Sequence, residues 1–125
     1  MSNKRILLVD DESDFVETVE FFLSGSDYQV FVAKNGKEAL EKVKTERPDL
    51  VLLDVMMPKM DGLEACKRLK KDPTTYSIPI IVLTAKGRKE DVVDAIAAGA
   101  NSYIVKPFNL SDLIERIEKV LSDGT

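Results

Sequence analysis

Five short apolar runs, RILLVD, YQVFVA, DLVLLD, PIIVLT and SYIVK, punctuate the chain between Arg5 and Lys106, and a segment with helical periodicity follows each one. Runs rich in Val, Ile and Leu with little polar alternation read as strands buried on both faces. Strands that alternate with helices pair in parallel through right-handed crossovers, which places helices on both sides of one sheet. The pattern therefore predicts an α/β fold, a five-stranded parallel sheet flanked by five helices. A closed eight-stranded barrel needs a much longer chain than 125 residues. That length fits a single domain, residues 1–125 with a core from about 5 to 121, and no repeat, linker or low-complexity tract divides it.

Local signals delimit the helices. Phe15, Val19, Phe22 and Leu23 recur at helical spacing after the first run. Asn35-Gly36 marks a turn and helix start before Ala39, Leu40 and Val43. Pro48 and Pro79 each precede a strand. Asp61 stands where it can cap the helix carrying Leu63, Cys66 and Leu69, and Gly99 offers a left-handed stop after KEDVVDAIAA. Asn109 or Ser111 caps the last helix, whose apolar stripe is Leu113, Ile114, Ile117, Val120 and Leu121.

Composition excludes several classes of function. With 44% apolar and 32% charged residues the chain is an ordinary globular protein rather than a disordered one. A net charge of −4 argues against direct nucleic-acid or anionic-membrane binding. The apolar stretch LVLLDVMMP is interrupted by Asp54 and falls short of the roughly 20 residues of a membrane span. The run after Lys4 and Arg5 is too short for a secretory signal. Cys66 is the only cysteine, so no intrachain disulfide forms, and a reducing cytoplasm is the simplest setting. Its apolar helical face makes it a core residue rather than a nucleophile. Lys67, Lys70 and Lys71 read as a solvated helix face. The chain has no histidine, which rules out Ser-His-Asp and Cys-His hydrolysis and imidazole-bound zinc. A phosphohistidine, if one is involved, belongs to another molecule.

The polar residues that end these runs carry the chemistry. Asp10 and Asp11 follow the first, Asp54 ends the third, Thr84 the fourth and Lys106 the fifth. In an open parallel sheet the carboxyl ends of the strands border the ligand crevice. Three carboxylates gathered there repel one another unless a cation neutralises them. Together with Lys106 they leave a formal charge of −2, which one divalent cation cancels. A hard ion such as Mg²⁺ prefers oxygen ligands and keeps several waters. A carboxylate so screened can attack phosphorus, and Thr84 can donate its hydroxyl to a phosphoryl oxygen. Each residue alone has an ordinary reading, as helix cap, turn acid, loop lysine or strand threonine. All of them at strand ends, in this order, point to one site.

With LLVDDE, LLDVMMPKMDG, IVLTA and YIVKPF, the chain resembles the receiver domain of two-component response regulators, the chemotaxis-regulator-like family, from Arg5 to Leu121. The resemblance, rather than the hydrophobic pattern, implies the flavodoxin-like strand order 2-1-3-4-5. It implies that Asp54 is the phospho-acceptor. Asp11, Asp54 and the backbone carbonyl of Met56 would hold Mg²⁺, with Asp10 acting through a water. Thr84 would be the switch hydroxyl, Lys106 the phosphoryl-binding cation and Tyr103 the switch aromatic. Pro107 would follow a cis peptide bond, which sequence alone does not favour.

The donor would be a histidine kinase or phosphotransfer protein. The fourth helix, fifth strand and last helix would form the face read by a downstream protein, and the chain would be a monomer or a phosphorylation-dependent dimer. Such a domain accepts a phosphoryl group once per cycle and loses it slowly to water, so it is a switch and not an enzyme in the ordinary sense. Met56 and Lys86, two positions beyond Asp54 and Thr84, would border the path of that water. The chain is a stand-alone receiver or one domain of a larger protein.

Three other readings compete. A flavodoxin-like electron carrier needs a Ser/Thr/Gly-rich phosphate loop after the first strand, where this chain has DDESD. A phosphatase of the haloacid dehalogenase type typically carries a second Asp two residues after its nucleophile, where this chain has Met56. A degenerate receiver, binding partners without phosphorylation, does not need the intact acids, Thr84 and Lys106.

Overall fold

The computed structural model describes residues 3–55, 62–85 and 89–123. Five strands and five helices alternate: β1 (Arg5–Val9), α1 (Ser13–Gly25), β2 (Gln29–Ala33), α2 (Gly36–Glu46), β3 (Leu50–Asp54), α3 (Gly62–Lys71), β4 (Ile80–Ala85), α4 (Lys89–Ala97), β5 (Ser102–Lys106) and α5 (Leu110–Asp123). All strand pairs are parallel, and the order across the sheet is β2-β1-β3-β4-β5. Both the predicted class and the order implied by the resemblance are found.

Successive residues of the central strands feed opposite cores. Leu7, Val9, Val51, Leu53, Ile80 and Val82 pack with Ala39, Val43, Ala65, Cys66, Leu69 and Ala95 from α2, α3 and α4. Ile6, Leu8, Leu50, Leu52, Ile81 and Leu83 pack with Val16, Val19, Leu23, Leu113, Ile117 and Val120 from α1 and α5. This double burial is why these strands read as unbroken apolar runs. In α1 the buried positions are Val16, Val19 and Leu23. Phe15 and Phe22, which share the helical spacing, are only half-buried.

Side chains close the helix ends. The Asn35 side chain accepts the backbone N–H of Glu38 at 2.8 Å and starts α2. Of the two candidates for α5, Asn109 is the cap: its side chain accepts from the Asp112 N–H at 2.8 Å, and the Ser111 hydroxyl donates to it as well. Beyond α4, Gly99 has φ +101°, its N–H donates to Ile96, and the Ala100 N–H donates to Ala95, the paired bonds of a Schellman stop. Asp61 lies outside the described residues.

Lys70 corrects the sequence reading. It is half-buried, and its ammonium donates to the carbonyls of Tyr76 (3.1 Å) and Ile78 (2.9 Å), pinning the α3–β4 connection. Burial pulls its pKa below the usual lysine value, against a smaller upward pull from Cys66. Lys67 and Lys71 are exposed as expected. At the sheet edge, the Arg116 guanidinium reaches from α5 to the Ser102 hydroxyl at 2.8 Å and to the Tyr103 carbonyl.

Gly99 and Lys70 meet, because a Cβ on Gly99 would lie 3.0 Å from Lys70 Cγ. Gly99→Ala forces an L side chain into positive φ against a lysine stem tethered at its far end. The expected cost is about 1–2 kcal/mol, read as a lower urea midpoint with an unchanged m-value. An unchanged midpoint would show that the turn relaxes freely.

Candidate functional site

The carboxyl ends of β1, β3, β4 and β5 lie side by side, and the sheet order reverses between β1 and β3. A crevice opens at such a reversal because successive crossovers leave in opposite directions. Each predicted strand-end residue is there. Asp10 is 1% exposed, Asp54 6% and Thr84 1%, whereas Asp11 is exposed. Asp11, Glu12, Asp54, Thr84, Ala85 and Lys106 line an open depression of about 490 Å³. A groove of the same volume lies between β5 and α5, so size does not single out the site; the donor set does.

Lys106 ties the acids together. Its ammonium lies 2.8 Å from Asp10 Oδ2 and 3.4 Å from Asp54 Oδ2, linking β5 to the ends of β1 and β3. The other Asp10 oxygen accepts the Glu12 N–H at 3.0 Å, which fixes that carboxylate at the start of α1. Burial works to lower the Lys106 pKa. The Asp10 hydrogen bond and the charges of Asp54 and Asp10 more than offset it, so the net displacement is upward. The ammonium also stands 3.9 Å from the centroid of the Phe15 ring.

Carboxylate oxygens of Asp10, Asp11 and Asp54 lie within 4.8 Å of one another, the one such acidic group among the described residues. Oxygen donors this close suit a hard divalent cation, and one exposed member leaves an approach from solvent. The three carboxylates are thus candidates to hold such an ion, and Lys106 engages one oxygen of Asp10 and one of Asp54. The Thr84 Oγ1 atom is buried and has no hydrogen-bond partner among the described residues. A buried hydroxyl normally finds one, so an acceptor completing the site is called for here.

Tyr103 is 37% exposed on the edge strand β5. The Lys106–Pro107 peptide bond is cis. Cys66 is fully buried, and burial raises its thiol to about 11 against a smaller downward pull from Lys70, so it is inert core. Met56 and Lys86 lie outside the described residues.

Two contributors went unread in the sequence. Gly62, the first residue of α3, sits so close to the acceptor strand that a Cβ on it would lie 2.1 Å from the Asp54 carbonyl oxygen and 2.7 Å from Val55 Cα. Both neighbours are backbone and cannot yield, so only glycine fits; the glycine closing LLDVMMPKMDG was the available signal. Phe15 was read as helix core, yet its ring faces the ammonium.

Residues 6–118 match the family described as response regulator receiver domain. This chain belongs to that family. The receiver is 44% identical over 119 residues to the alkaline phosphatase synthesis transcriptional regulatory protein PhoP of Bacillus subtilis (strain 168), covering 95% of this chain and 49% of that protein. It is 40% identical over 121 residues to the phosphate regulon transcriptional regulatory protein PhoB of Pseudomonas aeruginosa, covering 97% and 53%. The chain therefore spans about half the length of these curated relatives. A crystal structure of a response regulator from Chloroflexus aurantiacus superposes with a TM-score of 0.91 at 37% identity, covering 95% of this chain and 98% of that one. Receivers of response regulators are signalling switches phosphorylated on Asp rather than classical enzymes, and they bind Mg²⁺ at a cluster of acidic residues. No helix among the described residues is long and apolar enough to cross a membrane.

The raised Lys106 pKa gives a signed pH dependence. A cation whose folded pKa exceeds its unfolded value stabilises fully below the unfolded value, near 10.5, and the contribution is lost as pH rises through the folded one. Lys106→Met is expected to cost about 1–3 kcal/mol at neutral pH, because it removes the ammonium that faces Asp10 and Asp54. Denaturant titrations of both forms without metal, from about pH 8 to about pH 12, should show the gap closing on the alkaline side. A gap constant across that range would remove the ion pairs as its cause.

Proposed function

We propose that this receiver is a phosphorylation-activated signalling switch in which Asp54 accepts a phosphoryl group in a Mg²⁺-dependent reaction. The observation that carries the reading is the convergence of Asp10, Asp11 and Asp54 on one point, with the Lys106 ammonium bridging two of them and, buried beside them, a Thr84 hydroxyl that has no hydrogen-bond partner among the described residues. An Asp54 carboxylate oxygen attacks phosphorus, a new O–P bond forms, and the bond to the donor's leaving atom breaks. With no histidine of its own, the receiver draws its phosphoryl group from a histidine kinase or a phosphotransfer protein. Asp11, Asp54 and the Met56 carbonyl would hold Mg²⁺, with Asp10 acting through a water, and the bound ion would supply positive charge to offset that gathering on the transferring group. Lys106 contacts a phosphoryl oxygen, which weakens its hold on Asp10, and Thr84 donates its hydroxyl to another.

The output follows from these two shifts. Thr84 pairs with Val105 in the β4–β5 register, beside the strand that carries Tyr103. Movement of the Thr84 side chain toward the phosphoryl group opens space for Tyr103 to turn inward from its exposed resting position. Val93 (66% exposed) and Ile96 (51%) on α4 and Tyr103 on β5 are exposed apolar side chains, and the α4–β5–α5 face is the one offered to a downstream protein target or to a second receiver. The whole of residues 1–125 acts as one receiver domain, with its core from about 5 to 121.

Incubation with a small acyl phosphate and Mg²⁺ should add one phosphoryl group, read by intact mass. The gain should vanish in Asp54→Asn and without metal, and Asp11→Asn should need more magnesium. No gain in the wild-type protein, under ample donor and cation, would overturn the acceptor assignment. For the output, the phosphorylated form should bind its target or itself more tightly, and Tyr103→Ala should flatten that difference without blocking phosphorylation. Equal gains in both forms would detach Tyr103 from the switch.

A further inference from the structure

An ammonium has three N–H donors, and in Lys106 two of its directions lead to Asp10 and Asp54. The third partner is the face of Phe15, with the nitrogen 3.9 Å from the ring centroid. That distance is well inside the ~6 Å range of cation–π attraction, which strengthens when the cation is partly withdrawn from water. The Lys106 side chain retains only 22% of its accessible surface. The ring is itself held: the edge-to-face contact with Phe108 puts the two centroids 5.9 Å apart at 84°, and Phe108 follows Lys106 and Pro107 on the same strand exit. One aromatic pair thus ties the first turn of α1 to the residues that follow β5, beside the Lys106 ammonium.

We infer that Phe15 is a positioning residue for Lys106, holding the ammonium by its aromatic face so that it stays aimed at the phosphoryl group on Asp54. This rests on the acceptor reading above and deepens it. The physical reason lies in what the ring does not do. A third carboxylate would also hold the ammonium, but it would cancel the positive charge that the incoming phosphoryl oxygens need. Water would hold it without fixing its direction. A π face supplies negative potential and no net charge, so the lysine is restrained while its full charge remains for the phosphoryl group. When Asp10 gives way to a phosphoryl oxygen, Phe15 keeps the nitrogen from swinging into solvent.

The test compares Phe15→Leu, which keeps apolar bulk and removes the face, with Phe15→Tyr, which restores the face. Phosphorylation of the full chain by a small acyl phosphate is timed by intact mass at fixed Mg²⁺ over a range of donor concentrations, with the thermal midpoint recorded for each form. Phe15→Leu is expected to lower the maximal rate roughly 3- to 10-fold, and Phe15→Tyr to recover most of it. Two results overturn the inference: wild-type kinetics in Phe15→Leu, or equal slowing in Phe15→Leu and Phe15→Tyr, which would reduce Phe15 to packing. Should Phe15→Leu fail to fold, Phe15→Met takes its place in the same comparison. A wild-type protein that takes up no phosphoryl group would instead refute the acceptor reading itself, and the inference with it.

Discussion

Like charges gathered in a protein crevice must be balanced, and among the described residues the Lys106 ammonium meets two of the three acids. Lys106 comes from the last strand and reaches the acids at the ends of the first and third. Its burial is unfavourable taken alone, and the acids' proximity to one another is unfavourable taken alone. Brought together, each offsets the other, which is why the Lys106 pKa is displaced upward despite desolvation. The arrangement is poised rather than maximally stable, because removing one carboxylate from its grasp or adding charge to another changes the balance at once. A site that must respond to a single covalent event needs that sensitivity.

The sheet provides the rigidity that such a balance requires. Its central strands are buried on both faces, so the strand ends cannot shift independently of two hydrophobic cores. The site residues stand at the margin of this scaffold, where Asp10, Asp54 and Thr84 are buried and Asp11 is exposed. Rigid support beneath polar groups lets a small chemical change be read at a distance.

Much of this was legible in the sequence because two signals coincide. Strand periodicity located the ends of the runs, and the residues found at those ends were charged or hydroxylated where apolar ones were expected. Asn35 and Gly99 were readable for the same reason, since a helix cap and a left-handed stop each demand a particular residue type. Phe15 was not readable in this way. A phenylalanine at helical spacing signals core, and nothing local reveals that its ring turns toward a lysine ninety-one positions later in the chain. Lys70 misled in the opposite direction, because a lysine among lysines reads as solvated surface until the α3–β4 connection folds back over it. Gly62 needed a three-dimensional reason as well, the close passage of its Cα beside the Asp54 carbonyl. In each case the deciding contact is long-range or depends on loop geometry, which hydrophobic pattern does not encode.

Arg116 has a consequence of a different kind. β5 is an outermost strand, and an outermost strand offers bare backbone to any extended polypeptide that drifts past. The guanidinium from α5 occupies the Tyr103 carbonyl on that border and engages the neighbouring Ser102 hydroxyl. That point of the border is therefore already occupied, so an incoming strand would have to displace the guanidinium before it could pair there.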